Sequence, residues 1–504
     1  MKKLIIFLSI FLVLTTACSK LEDLNFNTKG FTTVPGQALF NGQVRVLFNQ
    51  MATFNVNQNN TELFVQHFAE TTYPDESRYD MVTRPVPATH MNLMYRQVLM
   101  NLKEAKRLLT IAPLGGIIQA QRDNQLAIIE ILAVYAWSNV IETYGGMPYS
   151  EALDYTKPTP KYDDGMTVYK DLISRLDAAL ATMTPTAGGM GTGYDNIYGG
   201  GVAGTPKWMR FANSLKLRMG MMLADADPAY SKTVVNSAIA GVSGQSVFGA
   251  GDKFSLTYLG SSPNQNPVYT ELVVSGRFDF VVTSNLVDAC NLRNDPRRSG
   301  FMWTQVGGIY KGGAQGMPNS YNSFTHVDNS MLTSAREVVL MDYAEVQFLL
   351  AEAAARGGYT GVVGTADSYY QAAIRASITY WGGTAAQATT YLAQPTVDYA
   401  TLIGAGQSWK QVIGTQAWIA YYMRGFSAWT TWIRLDYPRL VASPAHVQDV
   451  NGIPLRYTYA TSEQTLNPVS YAAAVTALGA GGDNAMTPLF WDTVHYNTLT
   501  GLDN

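Results

Sequence analysis

The chain has 504 residues, with 35 basic and 38 acidic side chains and a formal net charge of −3. Charged residues make up only 14% of it, against roughly a quarter in ordinary globular proteins. No basic stripe is present that could attract phosphates, so the composition argues against nucleic-acid binding. The 30 Tyr outnumber the 19 Phe, which suits a surface for neutral, amphipathic ligands, although a large core could also use these rings.

The first 17 residues are predicted to be a lipoprotein signal peptide. Two lysines precede an apolar run at 4–14 that is too short to span a bilayer. The run ends in Thr-Thr-Ala-Cys, similar to the lipobox of bacterial lipoproteins, so we predict lipidation of Cys18 and attachment to a membrane surface. The alternative is an ordinary secretory signal in which Cys18 is incidental. Glu22 and Asp23 resemble the acidic export signal of some Bacteroidetes lipoproteins, which predicts a location on the outer face of the cell.

The mature chain is predicted to consist of a tether at 18–35 and one domain at 36–504. The tether is polar and shows no helical period. With Cys18 lipidated, Cys290 has no intramolecular partner, and we expect it to be a small buried residue. No later apolar run approaches the roughly 20 residues of a membrane span.

Helical patterns dominate the body of the chain. Apolar residues recur at i, i+3, i+4 and i+7 in eight segments, each of which is predicted to be a helix. These segments are 36–54, 92–111, 123–143, 166–183, 206–225, 343–356, 366–381 and 416–433. The aromatic residues of 418–432 fall at helical spacings, which favours core packing over ligand contact.

Three long stretches between the helices lack this pattern: 184–205, 244–266 and 303–331. Loops of this length inside a compact domain are usually functional or disordered, and their aromatic residues argue against disorder.

The helices at 343–356 and 366–381 carry small residues where two helices would meet, at Ala351, Ala354, Ala372 and Ala373. This pattern is typical of tetratricopeptide helix pairs, which repeat at about 34 residues. We therefore predict an all-α dominated fold in which helix pairs stack as a superhelical scaffold and a loop-rich half covers one side.

Five sequence blocks carry a family resemblance. They are WSNVIETYGGMPYSEA at 137–152, KWMRFANSLKLR at 207–218, NDPR at 294–297, YAEVQFLLAEAAARG at 343–357, and the segment 416–438, which ends in WIRLDYP. The short IPLRY at 453–457 and Asn467 also fit. With the lipoprotein start, these blocks resemble the SusD/RagB family of Bacteroidetes outer-membrane nutrient-binding lipoproteins, in its SusD-like branch.

The resemblance implies one helical domain with four tetratricopeptide-like helix pairs. It also implies a lid on a SusC-type TonB-dependent transporter that binds oligosaccharides, or in some cases peptides, and passes them to the pore. Two other functions stay open: the protein could be a tetratricopeptide-like assembly lipoprotein that binds no nutrient, or a lipid-anchored glycoside hydrolase.

Candidate ligand-binding residues are chosen on chemistry, because a sugar offers flat C–H faces and a rim of hydroxyls. Three loop segments pair tyrosine or tryptophan with polar side chains or exposed glycine. The alternative is that such rings only pin loops to the core. The candidates are Tyr73, Asp75 and Arg78; Tyr258, Asn264, Asn266 and Tyr269; and Trp303, Tyr310 and Tyr321.

Catalysis has little support in the sequence. No HExxH, CxxC, GxSxG or P-loop pattern occurs, and the five histidines are scattered. We therefore expect no enzyme activity, no catalytic residues, no metal site and no cofactor, with a structural Ca²⁺ left open.

Overall fold

The computed structural model describes residues 34–299, 302–447 and 450–503. The predicted signal peptide, Cys18 and nearly all of the tether lie outside the described residues and stay predictions. Helices occupy most of the described chain. They are α1 (Gly36–Ala52), α2 (Thr61–Phe64), α3 (Val86–Asn92), α4 (Met100–Ile111), α5 (Gln119–Tyr144), α6 (Gly165–Thr182), α7 (Gly204–Met222), α8 (Pro228–Ala240), α9 (Pro267–Tyr269), α10 (Ser284–Leu292), α11 (Tyr343–Arg356), α12 (Ala366–Tyr380), α13 (Ala385–Leu392), α14 (Tyr399–Gly404), α15 (Trp409–Ala420), α16 (Gly425–Leu435), α17 (Glu463–Leu466) and α18 (Pro468–Ala477).

The strands are short. They are β1 (Phe68–Glu70), β2 (Met147–Pro148), β3 (Tyr162–Asp163), β4 (Lys253–Leu256), β5 (Phe280–Val282), β6 (Trp303–Thr304), β7 (His326–Val327), β8 (Val338–Asp342), β9 (Tyr496–Asn497) and β10 (Leu502–Asp503). They form antiparallel two-stranded ladders, β1 with β5, β2 with β3, β4 with β8, β6 with β7 and β9 with β10.

Consecutive helices pack as pairs, α5 with α6, α7 with α8, α11 with α12 and α15 with α16. The pairs stack because α7 contacts α6 and α11, and α11 contacts α15. A Cβ added to Gly220 of α7 would lie 2.8 Å from Val235 Cγ2 of α8, so glycine lets these two helices approach closely. The predicted helix-pair fold is confirmed.

One helix prediction is wrong. The segment 416–433 is not continuous, because α15 ends at Ala420 and α16 begins at Gly425. Met423 between them has φ +65°, outside the helical region. A Cβ on Gly425 would clash with Thr61 Oγ1, so α2 occupies the space beside the break. The core assignment of the rings holds, since Trp418, Trp429 and Trp432 are buried.

A buried ion pair ties the NDPR block to the helix scaffold. The side chains of Asp295 and Arg297 are fully buried and lie 2.5 Å apart. Arg297 also donates to Ser377 Oγ of α12 at 3.0 Å and to Gln416 Oε1 of α15 at 3.2 Å. The guanidinium therefore joins three parts of the chain, and removing its carboxylate partner would leave a buried charge uncompensated. Cys290 is buried nearby, as expected.

Among the described residues, α5 alone is long and apolar enough to span a membrane, but 89% of its most apolar window is buried inside the protein. This burial marks α5 as a core helix.

Candidate functional site

The pairing of β1 with β5 brings together two loops that are far apart in the sequence. Phe68 lies opposite Val282, and Glu70 lies opposite Phe280. Beyond the ladder, the Thr71 backbone N–H donates to the carbonyl of Asp279 at 2.8 Å. These contacts place the loop that carries Tyr73 beside residues 277–279.

A third loop closes onto the first. The Asn319 backbone N–H donates to the carbonyl of Thr71 at 3.0 Å, and its side-chain amide donates to the carbonyl of Glu70 at 2.9 Å. Arg78 Nε donates to the carbonyl of Gly316 at 2.8 Å. The structure thus brings two of the three predicted ligand segments together, around Tyr73 and around Tyr321.

A cleft opens where these loops meet. We call it the loop cleft; it encloses about 550 Å³, a volume that includes the open solvent at its mouth. Tyr73 is 68% exposed at this cleft and has φ +55°, a backbone region that non-glycine residues rarely adopt. Such outliers concentrate at functional sites, because surrounding structure must hold them in place. The lining residues are Phe54, Asn55, Val56, Asn57, Glu70, Thr72, Tyr73, Arg84, Glu271, Arg277, Asp279 and Phe280.

A stack of rings lies next to the cleft. We call Phe278, Tyr321 and His326 the ring stack. The Tyr321 ring stacks on His326 at 4.1 Å between centroids and contacts Phe278 at 4.7 Å. Phe278 sits between the cleft residues Arg277 and Asp279 and is 62% exposed. Exposed rings of this kind offer the flat apolar faces that a sugar ring requires.

Polar side chains in the loop cleft form ion pairs and hydrogen bonds with one another. Arg277 Nε lies 2.5 Å from Asp279 Oδ2. Glu271 Oε1 accepts a hydrogen bond from Asn55 Nδ2 at 3.2 Å, and burial together with the nearby charge of Asp279 raises the pKa of Glu271. Donors and acceptors therefore face the cleft in fixed positions, which is how a hydroxylated ligand is oriented.

Two carboxyl groups lie beneath the cleft. Glu70 Oε2 accepts hydrogen bonds from both the N–H and the hydroxyl of Ser77, each at 2.8 Å. Burial, followed by the charge of Glu76, raises the pKa of Glu70 to about 8. Glu76 forms an ion pair with Arg84 and shares a side-chain hydrogen bond with Glu70. A proton on Glu70 relieves the repulsion between the two carboxyls.

The second predicted segment serves mainly to anchor loops. Tyr258 is 5% exposed, and its hydroxyl donates to Asn49 Oδ1 of α1 at 2.7 Å. Asn264 accepts from Arg45 at 3.2 Å, and the buried Asn266 caps α9. Tyr269 is half-buried at the end of α9, two residues before Glu271 of the cleft.

The remaining candidates also differ in exposure. Trp303 is 1% exposed, so its ring faces are covered by the core. Tyr310 is half-buried beneath the Arg298 guanidinium, 5.4 Å from its ring centre. Asp75 and Arg78 are half-buried, and Arg78 serves to hold the third loop. Tyr73 and Tyr321 are the two candidates with rings at the cleft or the ring stack.

Sequence reasoning missed much of this site. Arg277, Phe278 and Asp279 follow a Ser-Gly turn, and this charged–aromatic–charged run is the local signal that could have identified them. Arg84 and Glu271 carry no such signal, because their position depends on β1 and β5 pairing across about 210 residues. In the described ranges, no group of three or more His, Cys, Asp or Glu side chains could hold a metal ion.

Comparison with known proteins agrees with this architecture. Residues 28–460 match the SusD-like family described as "Starch-binding associating with outer membrane". No protein with a curated description matches the chain.

Solved structures resemble the whole fold. A chitin-binding protein superposes with a TM-score of 0.75 at 23% identity, covering 91% of this chain and 99% of its own. A chitin-binding SusD homologue from Flavobacterium johnsoniae gives 0.74 at 24% identity, covering 90% and 98%. A SusD homologue from Bacteroides uniformis gives 0.73 at 25% identity, covering 90% and 99%.

Proposed function

We propose, because this chain belongs to the SusD-like family of starch-binding proteins that associate with the outer membrane, that it binds a glycan at the loop cleft and the ring stack. The observation that carries the proposal is the placement of two exposed rings, Tyr73 and Phe278, beside paired polar side chains. Ring faces would cover the C–H faces of a sugar, and Arg277 and Asp279 would bind its hydroxyls.

The protein would act as a cell-surface lipoprotein held at the outer membrane through lipidated Cys18. It would pass bound oligosaccharides to a SusC-type TonB-dependent transporter. The family description supports association with the outer membrane, and the acidic residues after Cys18 support the outward orientation.

Binding without turnover is the activity we propose. A glycosidase needs one carboxyl as an acid and a second as a free base or nucleophile. The three carboxyls that line the loop cleft each have a partner in the protein: Asp279 is paired with Arg277, Glu271 accepts from Asn55, and Glu70 accepts from Ser77. All three thereby help to hold the cleft, which favours recognition over catalysis.

Two of the similar structures are described as chitin-binding, and the family as starch-binding. Oligosaccharides of chitin and of starch are therefore the first ligands to test. Affinity electrophoresis of residues 19–504 against a polysaccharide panel that contains both should show retardation by at least one glycan.

Three single substitutions test whether the glycan binds at the loop cleft and the ring stack. Tyr73→Ala and Phe278→Ala should each weaken binding about tenfold, the effect of losing one aromatic contact. Tyr155→Ala is the control, because Tyr155 is 95% exposed and lies away from the cleft lining. Retardation that survives both cleft substitutions would contradict the proposed site, and competition by peptides but not by sugars would contradict the proposed cargo.

A further inference from the structure

The turn between α4 and α5 is an exposed apolar projection that the glycan site does not use. Its eight residues, Ile-Ala-Pro-Leu-Gly-Gly-Ile-Ile at 111–118, contain no polar side chain. We call this turn the apolar finger. We propose that the apolar finger inserts into the lipid surface next to the acyl anchor, an inference that rests on the proposed lipidation of Cys18.

The finger exposes large side chains. Ile111 is 65% exposed, Ile118 is 64% exposed and Leu114 is 41% exposed. Val34, the first described residue, is also 40% exposed. Single exposed aliphatic residues are common, but a run of them on one turn is typical of a surface that meets lipid or another protein.

The finger is held in shape by a buried cation. Arg122, at the start of α5, is 6% exposed and donates to the carbonyl of Leu109. It also donates to the carbonyls of Ala112 at 2.9 Å and Pro113 at 3.2 Å. The guanidinium thus fixes the base of the finger, so little conformational freedom would be lost when the finger meets a surface.

The chain enters the body of the protein at the base of this finger. A Cβ on Gly36 would lie 2.7 Å from the carbonyl oxygen of Ala105 and 2.8 Å from Leu109 Cγ, so α1 starts directly against the last turns of α4. Cys18 precedes Gly36 by 18 positions in the sequence, and a chain of that length can reach at most about 60 Å. The anchor would therefore hold the finger's end of the protein near the membrane.

Charge around the finger favours lipid insertion over headgroup attraction. Arg107 is paired with Glu104 and Lys106 with Glu130, each at 2.7 Å. The cations of this part of α4 are thus matched by carboxylates, and apolar contact remains as the source of affinity for a membrane.

An environment-sensitive label tests the proposal. The acylated chain carrying Leu114→Cys is labelled with the fluorophore NBD and reconstituted in vesicles of phosphatidylethanolamine and phosphatidylglycerol. The emission should shift to shorter wavelength and be quenched by a lipid-borne doxyl group. A label at Val363→Cys is the control, because Val363 is 93% exposed in the loop between α11 and α12. Cys290 is buried and should not compete for label.

Acylation of Cys18 is checked separately by mass spectrometry. This check distinguishes a chain that lacks the acyl anchor from one in which the apolar finger does not insert. With acylation verified, equal emission from labels at 114 and 363 would overturn the proposal. A shift at 114 that appears only after a transporter is added would also overturn it in favour of a protein contact. If Cys18 carries no acyl chain, its thiol is removed as Cys18→Ser before labelling. The same labels are then read with vesicles, and no shift at 114 again overturns the proposal.

Discussion

The proton on Glu70 helps to hold the loop that presents Tyr73. Glu70 accepts hydrogen bonds from Ser77 across this loop, and its carboxyl shares a side-chain hydrogen bond with Glu76. With Glu70 protonated, one charge remains between the two carboxyls, and Arg84 compensates it. Loss of the proton would place two negative charges in a buried site beneath the cleft.

This arrangement predicts a pH dependence of stability. The pKa of Glu70 is raised from 4.5 to about 8 in the folded chain, so the folded state binds the proton more tightly than the unfolded state. Its contribution to stability is complete below pH 4.5 and is lost as the pH rises through 8. Glu70→Gln, whose amide can still accept from Ser77 and can donate to Glu76, should remove this loss.

Thermal unfolding at pH 5 and pH 8 measures the effect. We expect the fall in Tm between these pH values to be smaller in Glu70→Gln than in the unmodified chain, by roughly 2–3 °C. Glu104→Gln is the control, because Glu104 is exposed on α4 beside Arg107. An unchanged pH profile in Glu70→Gln would show that Glu70 is ionised across this range.

Among the structural elements, the helices could be predicted from the sequence, but the exposure of aromatic residues in the loops could not. The 3.6-residue period predicts helices because the core face of each helix is encoded within its own residues, and α11 has the predicted bounds. The period does not reveal the break at Tyr421 to Arg424, where α2 packs directly against the chain at Gly425. Loop aromatics carry no such period, so exposed Tyr73 and buried Trp303 look alike in the sequence.

Substitution of Trp303 and of Tyr73 should affect the free energy of unfolding very differently. Trp303 in β6 is 1% exposed and packs edge-to-face on Tyr422 at 6.0 Å, so Trp303→Ala should cost roughly 3–5 kcal/mol of the free energy of unfolding. Tyr73→Ala should change it by less than about 0.5 kcal/mol, since its ring is mostly in solvent. Urea denaturation of both variants provides the measurement. A Trp303→Ala chain as stable as its parent would show that the ring is not part of the core.

At the level of the whole molecule, stacked helix pairs form the scaffold, and loops joined by the β1–β5 ladder carry the cleft. The family and the helical scaffold could be predicted from sequence blocks, and the comparisons confirm both. The cleft could not be predicted, because its residues come from segments near 55, 73, 84 and 277 that only the folded β1–β5 ladder brings together. The finger lies on a separate turn, so attachment to the membrane and capture of a ligand would use different parts of the protein.

A crystal structure with an oligosaccharide of the glycan that binds in the panel would decide whether the loop cleft is the binding site. We predict a sugar ring packed on Tyr73 or Phe278, with hydroxyls within hydrogen-bond distance of Arg277 and Asp279. The contrary result is an empty loop cleft with sugar bound elsewhere. One such place is the groove lined in part by Tyr162 and Phe490.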